Sequence, residues 1–540
     1  MTIAPTAEQQ DIVGEPSNCV VIAKPGSGKT FTLSLKINTI LPELPNYRGV
    51  IAISFTNKAS NELERRCLSS GLDRKGSFFG TIDRFFLSEI IIPFGNHVFG
   101  LLRQEFDVVE AEAMCGTQES ANMQTLLDEG AYDDLVVAYA PFLRHLYSEG
   151  RIILEAFGFL ALHIYRSSIA CRRYIRARYS HIVVDEYQDC GFWQHALFSS
   201  LVDLGLCGVA VGDMDQSIFA FAKKDPRYLA ALARDDSRFT TYPLSTNHRS
   251  HSSIVNYSLR LLSPSCKLLA TNDIRVYEKR VEGTEIEIGH WLSSAIPRFA
   301  DQLRISEMSR VGILARGHRT VDLVHQSLSI PHKPAIDTPL DKNTSLWGNL
   351  FRKILHLLFS PELTKYEIAE EYLVVNSETS KVRAVMRKLS NLETLARTGL
   401  EQLQGVPHEF VAIAEAVLPR ARNAEAIRGL EAVLGSIPLL ESYVPPNRDE
   451  VQLMTLHKAK GLEFDLVFHL DLYCWILPRY KADRTQELNL HYVGITRARE
   501  CCVLCTSSER HKADGRCTGG DDSEFLHMNH LESLRLASPF

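Results

Sequence analysis

At 540 residues and 60.8 kDa, the chain has material for about three to four domains. Apolar residues make up 45% and charged residues 23%, globular proportions that exclude disorder as the main theme. The net charge of −6, from 59 basic and 65 acidic residues, excludes a general basic coat, so any nucleic-acid contact has to come from local patches.

Twelve cysteines are too sparse for a disulfide scaffold in a chain this long, and reduced thiols in a cytoplasmic setting are expected. Met1 to Gln10 lacks the charged-then-apolar design of a signal segment. No apolar run reaches 18 residues, so no membrane partner is expected. In chain order, buried strands are predicted at Cys19–Ala23, Val50–Phe55, His181–Val184, Val209–Val211, Val311–Ala315, Val451–Thr455 and Leu466–Leu470. Helical patterns alternate with them, which predicts an α/β fold with parallel sheets. In two stretches the strand signals fade and apolar spacing turns helical, as in Ile152-x-x-x-Ala156-Phe157 and in Leu350-Phe351-x-x-Ile354-Leu355. Both read as helical insertions into α/β hosts, residues 88–180 into a first domain (1–87 and 181–242) and 326–446 into a second (243–325 and 447–540).

The string Ala23-Lys-Pro-Gly-Ser-Gly-Lys-Thr30 lies between a strand and a helical pattern, the context of a P-loop. Gly26 and Gly28, flanking Ser27, let backbone N–H groups turn inward around a phosphate, and the following helix adds its positive end. Lys29 is placed to neutralise β/γ oxygens, and the Thr30 hydroxyl to ligate Mg²⁺. His181-Ile-Val-Val-Asp185-Glu186 is the matching second element. Asp185 is expected to hold Mg²⁺ through water and Glu186 to polarise the attacking water.

With these two anchors, seven more motifs fall in order. They are Ala7-Glu-Gln9-Gln-Asp-Ile-Val13, Thr56-Asn-Lys-Ala59, Gly80-Thr-Ile-Asp-Arg-Phe85, Gly212-Asp-Met-Asp-Gln216, Asn247-His-Arg249-Ser250 and Leu453-Met-Thr455-Leu-His457-x-x-Lys460-Gly-Leu-Glu463-Phe464, followed by Tyr492-Val-Gly-Ile-Thr496-Arg497-Ala-Arg499. In this arrangement the chain resembles superfamily 1A DNA helicases of the UvrD/Rep type. The resemblance implies two RecA-like domains, 1A and 2A, with ATP between them and the helical stretches as inserts 1B and 2B, both shorter than in UvrD. It also implies DNA-stimulated ATP hydrolysis and translocation with 3′→5′ polarity. Further details, among them Ser88-Glu-Ile-Ile-x-Pro93-Phe94 and Thr338-Pro-Leu-Asp341, are similar to the GajB-type, UvrD-like subunits of Gabija anti-phage systems. That resemblance implies an OLD-family nuclease partner (GajA-like).

The resemblance to UvrD/Rep helicases assigns roles. Arg249 and Arg497 become the arginines supplied across the cleft, Gln216 a γ-phosphate sensor, Gln9 the adenine reader and Glu463 a ribose ligand. His248 stands where a tyrosine usually stacks on adenine. Single-stranded DNA or DNA ends are the expected partner. The candidate contacts are Phe55, Asn57 and Lys58, Phe85, Phe221, and Thr455 with His457, because a strand is held by a basic track and aromatic faces. Phe31, Asp83 and the Phe219-Ala-Phe221-Ala222 string depart from the family pattern, which weakens the expected grip. An alternative remains open at this stage: a DNA-end or nucleotide-sensing ATPase that regulates a nuclease and unwinds little. The basic segment Tyr165–Tyr179 is expected to be a solvated face. Cys501, Cys502 and Cys505 lie on a strand, where residues three apart face opposite ways, so they are expected to be buried thiols rather than metal ligands.

Overall fold

The computed structural model describes residues 4–540 except 56, 70, 101–106, 217–224, 344, 361–363, 373–378, 420 and 513. In the first lobe, β1 (Cys19–Ala23), β2 (Gly49–Ile53) and β3 (Phe78–Gly80) precede an insert holding β4 (Asp107–Val109) and β5 (Arg151–Ile153). After the insert come β6 (Tyr179–Val184), β7 (Cys207–Gly212) and β8 (Thr240–Leu244). The main sheet has the order β3-β2-β6-β7-β1-β8 and is parallel throughout. Its inner strands are near-continuous apolar runs because helices cover both faces. Val21, Leu33, Ile37, Val50 and Val209 pack one side. Val20, Ile51, Ile182 and Ala210 face the other, where the core continues into the inserts.

The second lobe repeats the plan. Its strands are β9 (Val276–Val281), β10 (Val311–Ala315), β11 (His332–Pro334), β12 (Val451–Thr455), β13 (Phe464–His469) and β14 (Ala498–Ser507). A hairpin, β15 (Glu509–His511) with β16 (Cys517–Gly519), and the short β17 (Leu536–Ala537) complete it. The sheet order is β11-β12-β10-β13-β14-β9-β17, again all parallel. Cys502 belongs to the core layer on one face of this sheet, and Cys501 and Cys505 to the layer on the other. The architecture is thus α/β, with two RecA-like parallel-sheet domains that each carry a largely helical insertion.

Two details differ from the strand reading of the sequence. Strand β8 pairs with β1, so the chain leaves the first sheet only after Leu244. The first insert is not wholly helical, since β4 and β5 form a two-stranded parallel sheet within it. The second insert follows β11 and is built on the helix Leu346–Phe359, whose buried Leu346, Trp347, Leu350, Phe351, Ile354 and Leu355 form one apolar stripe. The two inserts share a core, and Glu110 of the first accepts the N–H of Leu346 of the second. No helix among the described residues is long and apolar enough to cross a membrane.

Candidate active site

The C-terminal edge of a parallel sheet is where open α/β folds place ligands. Strand β1 ends there in the Lys24–Gly28 turn, and the helix Lys29–Glu43 begins at once. Gly26 and Gly28 have φ of +69° and +80°, a conformation that side chains disfavour. Both are also crowded. A Cβ on Gly26 would lie 2.7 Å from the Arg249 Cβ, and one on Gly28 would lie 3.0 Å from the Gln9 amide nitrogen. Ser27 is buried, and its hydroxyl donates to the Lys24 carbonyl (2.7 Å).

Lys29 Nζ sits 3.2 Å from Glu186 Oε1. Burial works against its charge, but Glu186, Asp213 and Asp185 outweigh that and hold the ammonium above its usual range. The Thr30 hydroxyl donates to Asp185 (3.1 Å). Hydroxyl and carboxylate are hard oxygen donors of the kind Mg²⁺ prefers, and burial with the neighbouring Glu186 pushes the Asp185 carboxyl up, a strain a cation relieves. The two residues therefore fit the ion. Glu186 itself has φ of +54°, accepts from Gln188 Nε2 (2.6 Å), and is held low despite burial by Lys29, Gln188 and Lys460.

The second lobe closes over this group. Arg497 is 2% exposed and donates to the carbonyls of Val493 (3.1 Å) and Leu462 (3.2 Å) and to Gln216 Oε1 (3.0 Å). Gln216 in turn donates to Asp213 (2.6 Å). Burial lowers the Arg497 guanidinium to about 10, still protonated at neutral pH. Arg249 lies on the segment leaving β8, which is pinned to the P-loop by His248 N–H to the Gly26 carbonyl (2.8 Å) and Asn247 Nδ2 to the Pro25 carbonyl (2.8 Å).

Not every expected role matches the contacts found. Glu463 carries no free carboxylate: Oε1 pairs with Arg249 (2.6 Å) and Oε2 with Arg499 (3.1 Å to Nε). Gln9 uses both ends of its amide inside the protein, accepting from Thr6 N–H (3.0 Å) to cap its own helix and donating to the Ser27 carbonyl (3.2 Å). His248 is exposed and open to a stacking partner.

Among the DNA candidates, Phe85 is a correction. It is 0% exposed and packs edge-on against Phe78 (5.2 Å) and Tyr179 (6.2 Å), so no face is left for a base. Phe55 is half-buried against the first-lobe core beside Ile53, Ile82 and Tyr187. Asn57 and Lys58 open the helix Asn57–Leu68, but their side chains lie outside the description, as does all of Phe221. Thr455 is buried at the end of β12, and His457 just beyond is half-buried. In the basic segment, Arg172 is spent on the carbonyls of Tyr165 and Arg166, while Arg173 and Arg176 face solvent.

Sequence reasoning gave Lys460 no role. Its ammonium lies 3.0 Å from Asp189, three residues from Glu186, and so bridges the lobes on the second side of the cleft. The motif string contains Lys460, but no spacing says that it meets Asp189.

Comparison with known proteins agrees with this arrangement. The AAA domain family matches residues 8–222, and the UvrD-like helicase C-terminal domain family matches residues 352–509. Gabija protein GajB of Bacillus cereus is 26% identical over 93% of this chain and 96% of its own length. PcrA of Bacillus subtilis, an ATP-dependent DNA helicase, is 21% identical over 96% and 84%, and Rep of Escherichia coli is 22% identical over 96% and 93%. With both family models matched in order around one nucleotide cleft, the chain is an ATP-hydrolysing, DNA-directed enzyme that resembles the UvrD/Rep helicases and GajB along most of its length.

Proposed function

We propose that this enzyme is a 3′→5′ DNA translocase that acts as the GajB-like subunit of a Gabija anti-phage complex, beside an OLD-family nuclease. The observation that carries the motor reading is the chain of contacts Arg497–Gln216–Asp213, which ties the second lobe to the phosphate grip of the first. In this reading Lys29 and the P-loop amides hold the β- and γ-phosphates, while Glu186 takes a proton from the attacking water. Arg497 and Arg249 match the charge that grows on the transferring phosphoryl group, an effect worth on the order of 10³–10⁵ in rate for such arginines. Thr30 and Asp185 would hold Mg²⁺, which supplies further charge neutralisation. Gln216 senses the γ-phosphate, His248 stacks on the base, and Gln9 braces the loop. Thr455 and His457 stand at the end of β12, only a short turn from Lys460 and Glu463, so movement at the cleft is passed to the strand grip.

One feature favours a second reading, a gated ATPase that senses DNA and unwinds little. Arg249 is held by Glu463 at 2.6 Å, a parked position for an arginine needed at the phosphates. A forked-duplex displacement assay at saturating ATP separates the two, with Lys29→Ala as the inactive control. Strand separation that depends on ATP and on a 3′ tail supports the translocase. Hydrolysis stimulated by DNA without separation supports the sensor.

A further inference from the structure

Beyond β13 the chain runs through residues 471–483 before the helix Arg484–Thr496 begins. This loop leaves the same C-terminal sheet edge as Thr455 and His457. It carries two large aromatic side chains in solvent, Trp475 at 60% and Tyr480 at 65% exposure, with ring centroids 5.0 Å apart. Lys481 lies over the Tyr480 ring at 5.2 Å, and Arg479 is exposed beside it. Neither cation forms an ion pair among the described residues.

The presentation is built rather than loose. Trp475 and Lys481 sit at φ of +67° and +60°, an arrangement bulky residues keep only where the surroundings impose it. Those surroundings are specific. Tyr473 accepts from the Ser507 N–H (2.9 Å), the Cys474 N–H donates to the Asp521 carbonyl (2.9 Å), and the Arg479 N–H donates to Glu487 (3.1 Å). Glu487 also holds Arg316 (2.7 Å) at the end of β10. Arg316, Glu487 and Arg479 are among the charges around His457, so the loop continues the track proposed above.

A pair of rigid, water-exposed aromatics flanked by uncompensated cations suits unpaired bases with their phosphates, since every base offers a stacking face. We propose that Trp475 and Tyr480 form a stacking post for single-stranded DNA where it passes the second lobe, with Arg479 and Lys481 on its phosphates; this rests on the DNA-translocating reading.

Intrinsic fluorescence of the full chain titrated with oligothymidylate tests it. Of the four tryptophans, Trp193 and Trp347 are buried and Trp291 is half-buried, so Trp475 is the one open to a base. Quenching is expected in the wild type and absent in Trp475→Leu. Trp475→Leu and Tyr480→Leu are each expected to weaken binding about tenfold or more, Trp475→Phe to restore most of it, and DNA-free ATP hydrolysis to stay unchanged in all three. Oligothymidylate binding that is equally tight in wild type and both leucine variants overturns the post while leaving DNA binding intact. Loss of nuclease association in those variants with DNA affinity unchanged assigns the pair to a protein contact and also overturns it. No binding by the wild type would instead remove the DNA reading itself.

Discussion

At the residue scale, the phosphate grip works by putting one cation among several acids. Lys29 keeps its charge in a buried place because Glu186, Asp213 and Asp185 surround it. Glu186 stays ionised for the same reason, and an ionised carboxylate is what a base must be. Glu186→Gln keeps the shape and loses the base. It is expected to bind ATP with near-normal affinity while turnover falls roughly 10²–10⁴-fold, the range for a general base. Single-turnover hydrolysis with nucleotide binding measured alongside checks this, and a wild-type rate would move the role to another group. These residues were legible in the sequence because the chemistry dictates residue type at fixed spacing: a left-handed turn needs glycine, and a phosphate needs a lysine at the helix start. Phe85 was misread because an aromatic ring has the same letter in a core as on a strand-binding face. Trp475 and Tyr480 went unremarked because no motif contains them and exposure is not written in a sequence.

At the element scale, the turn from Thr455 to Glu463 carries the traffic between sites. Its Lys460 meets Asp189 across the lobes, and both are largely buried. Burial lowers the Lys460 ammonium and Asp189 opposes that, so the Lys460 charge depends on its partner. A double-mutant cycle of Lys460→Met and Asp189→Asn is expected to give a coupling of about 0.5–3 kcal/mol in DNA-stimulated kcat/KM. Purely additive effects would mean that the bridge does not transmit.

The second sheet supplies a pH test. His469, at the end of β13, is fully buried, contacts His491 at 3.0 Å, and is pushed down to about 4 by desolvation. An unfolded histidine titrates near 6.5, so below that pH the unfolded chain takes a proton that the folded one refuses. The stability contribution is complete above about 6.5 and is lost as pH falls toward about 4, on the order of 3 kcal/mol over that window. Thermal melting between pH 7 and 4.5 is expected to be less pH-dependent in His469→Gln than in the wild type. Identical slopes would show that His469 takes up its proton in the folded state.

The elements themselves were unevenly readable. Strands β1, β10 and β12 stand where their apolar runs place them, because they are covered on both faces. Strand β8, Thr-Thr-Tyr-Pro-Leu, is an exposed edge strand with a proline, and β9, Val-Tyr-Glu-Lys-Arg-Val, holds three charged residues in succession, so neither has such a run. The β4–β5 pair is three residues long on each side, too short to leave a period.

At the scale of the whole molecule, the net charge of −6 leaves DNA to be held by local features. The first sheet presents its C-terminal edge to the cleft, the second meets it with Glu463 and Arg497 just before β13 and β14, and the inserts share a core. The account depends on the second lobe completing the chemistry of the first. Arg497 is the strictest test, because its guanidinium is fixed by the carbonyls of Val493 and Leu462 and reaches Gln216. Arg497→Lys keeps a cation but loses the planar fork. Steady-state ATP hydrolysis at saturating oligothymidylate, with melting temperature and nucleotide affinity recorded on the same sample, is the most direct measurement. A folded variant that binds ATP but turns over about 10³-fold or more slowly is the predicted result. A folded variant that hydrolyses at the wild-type rate would contradict the account.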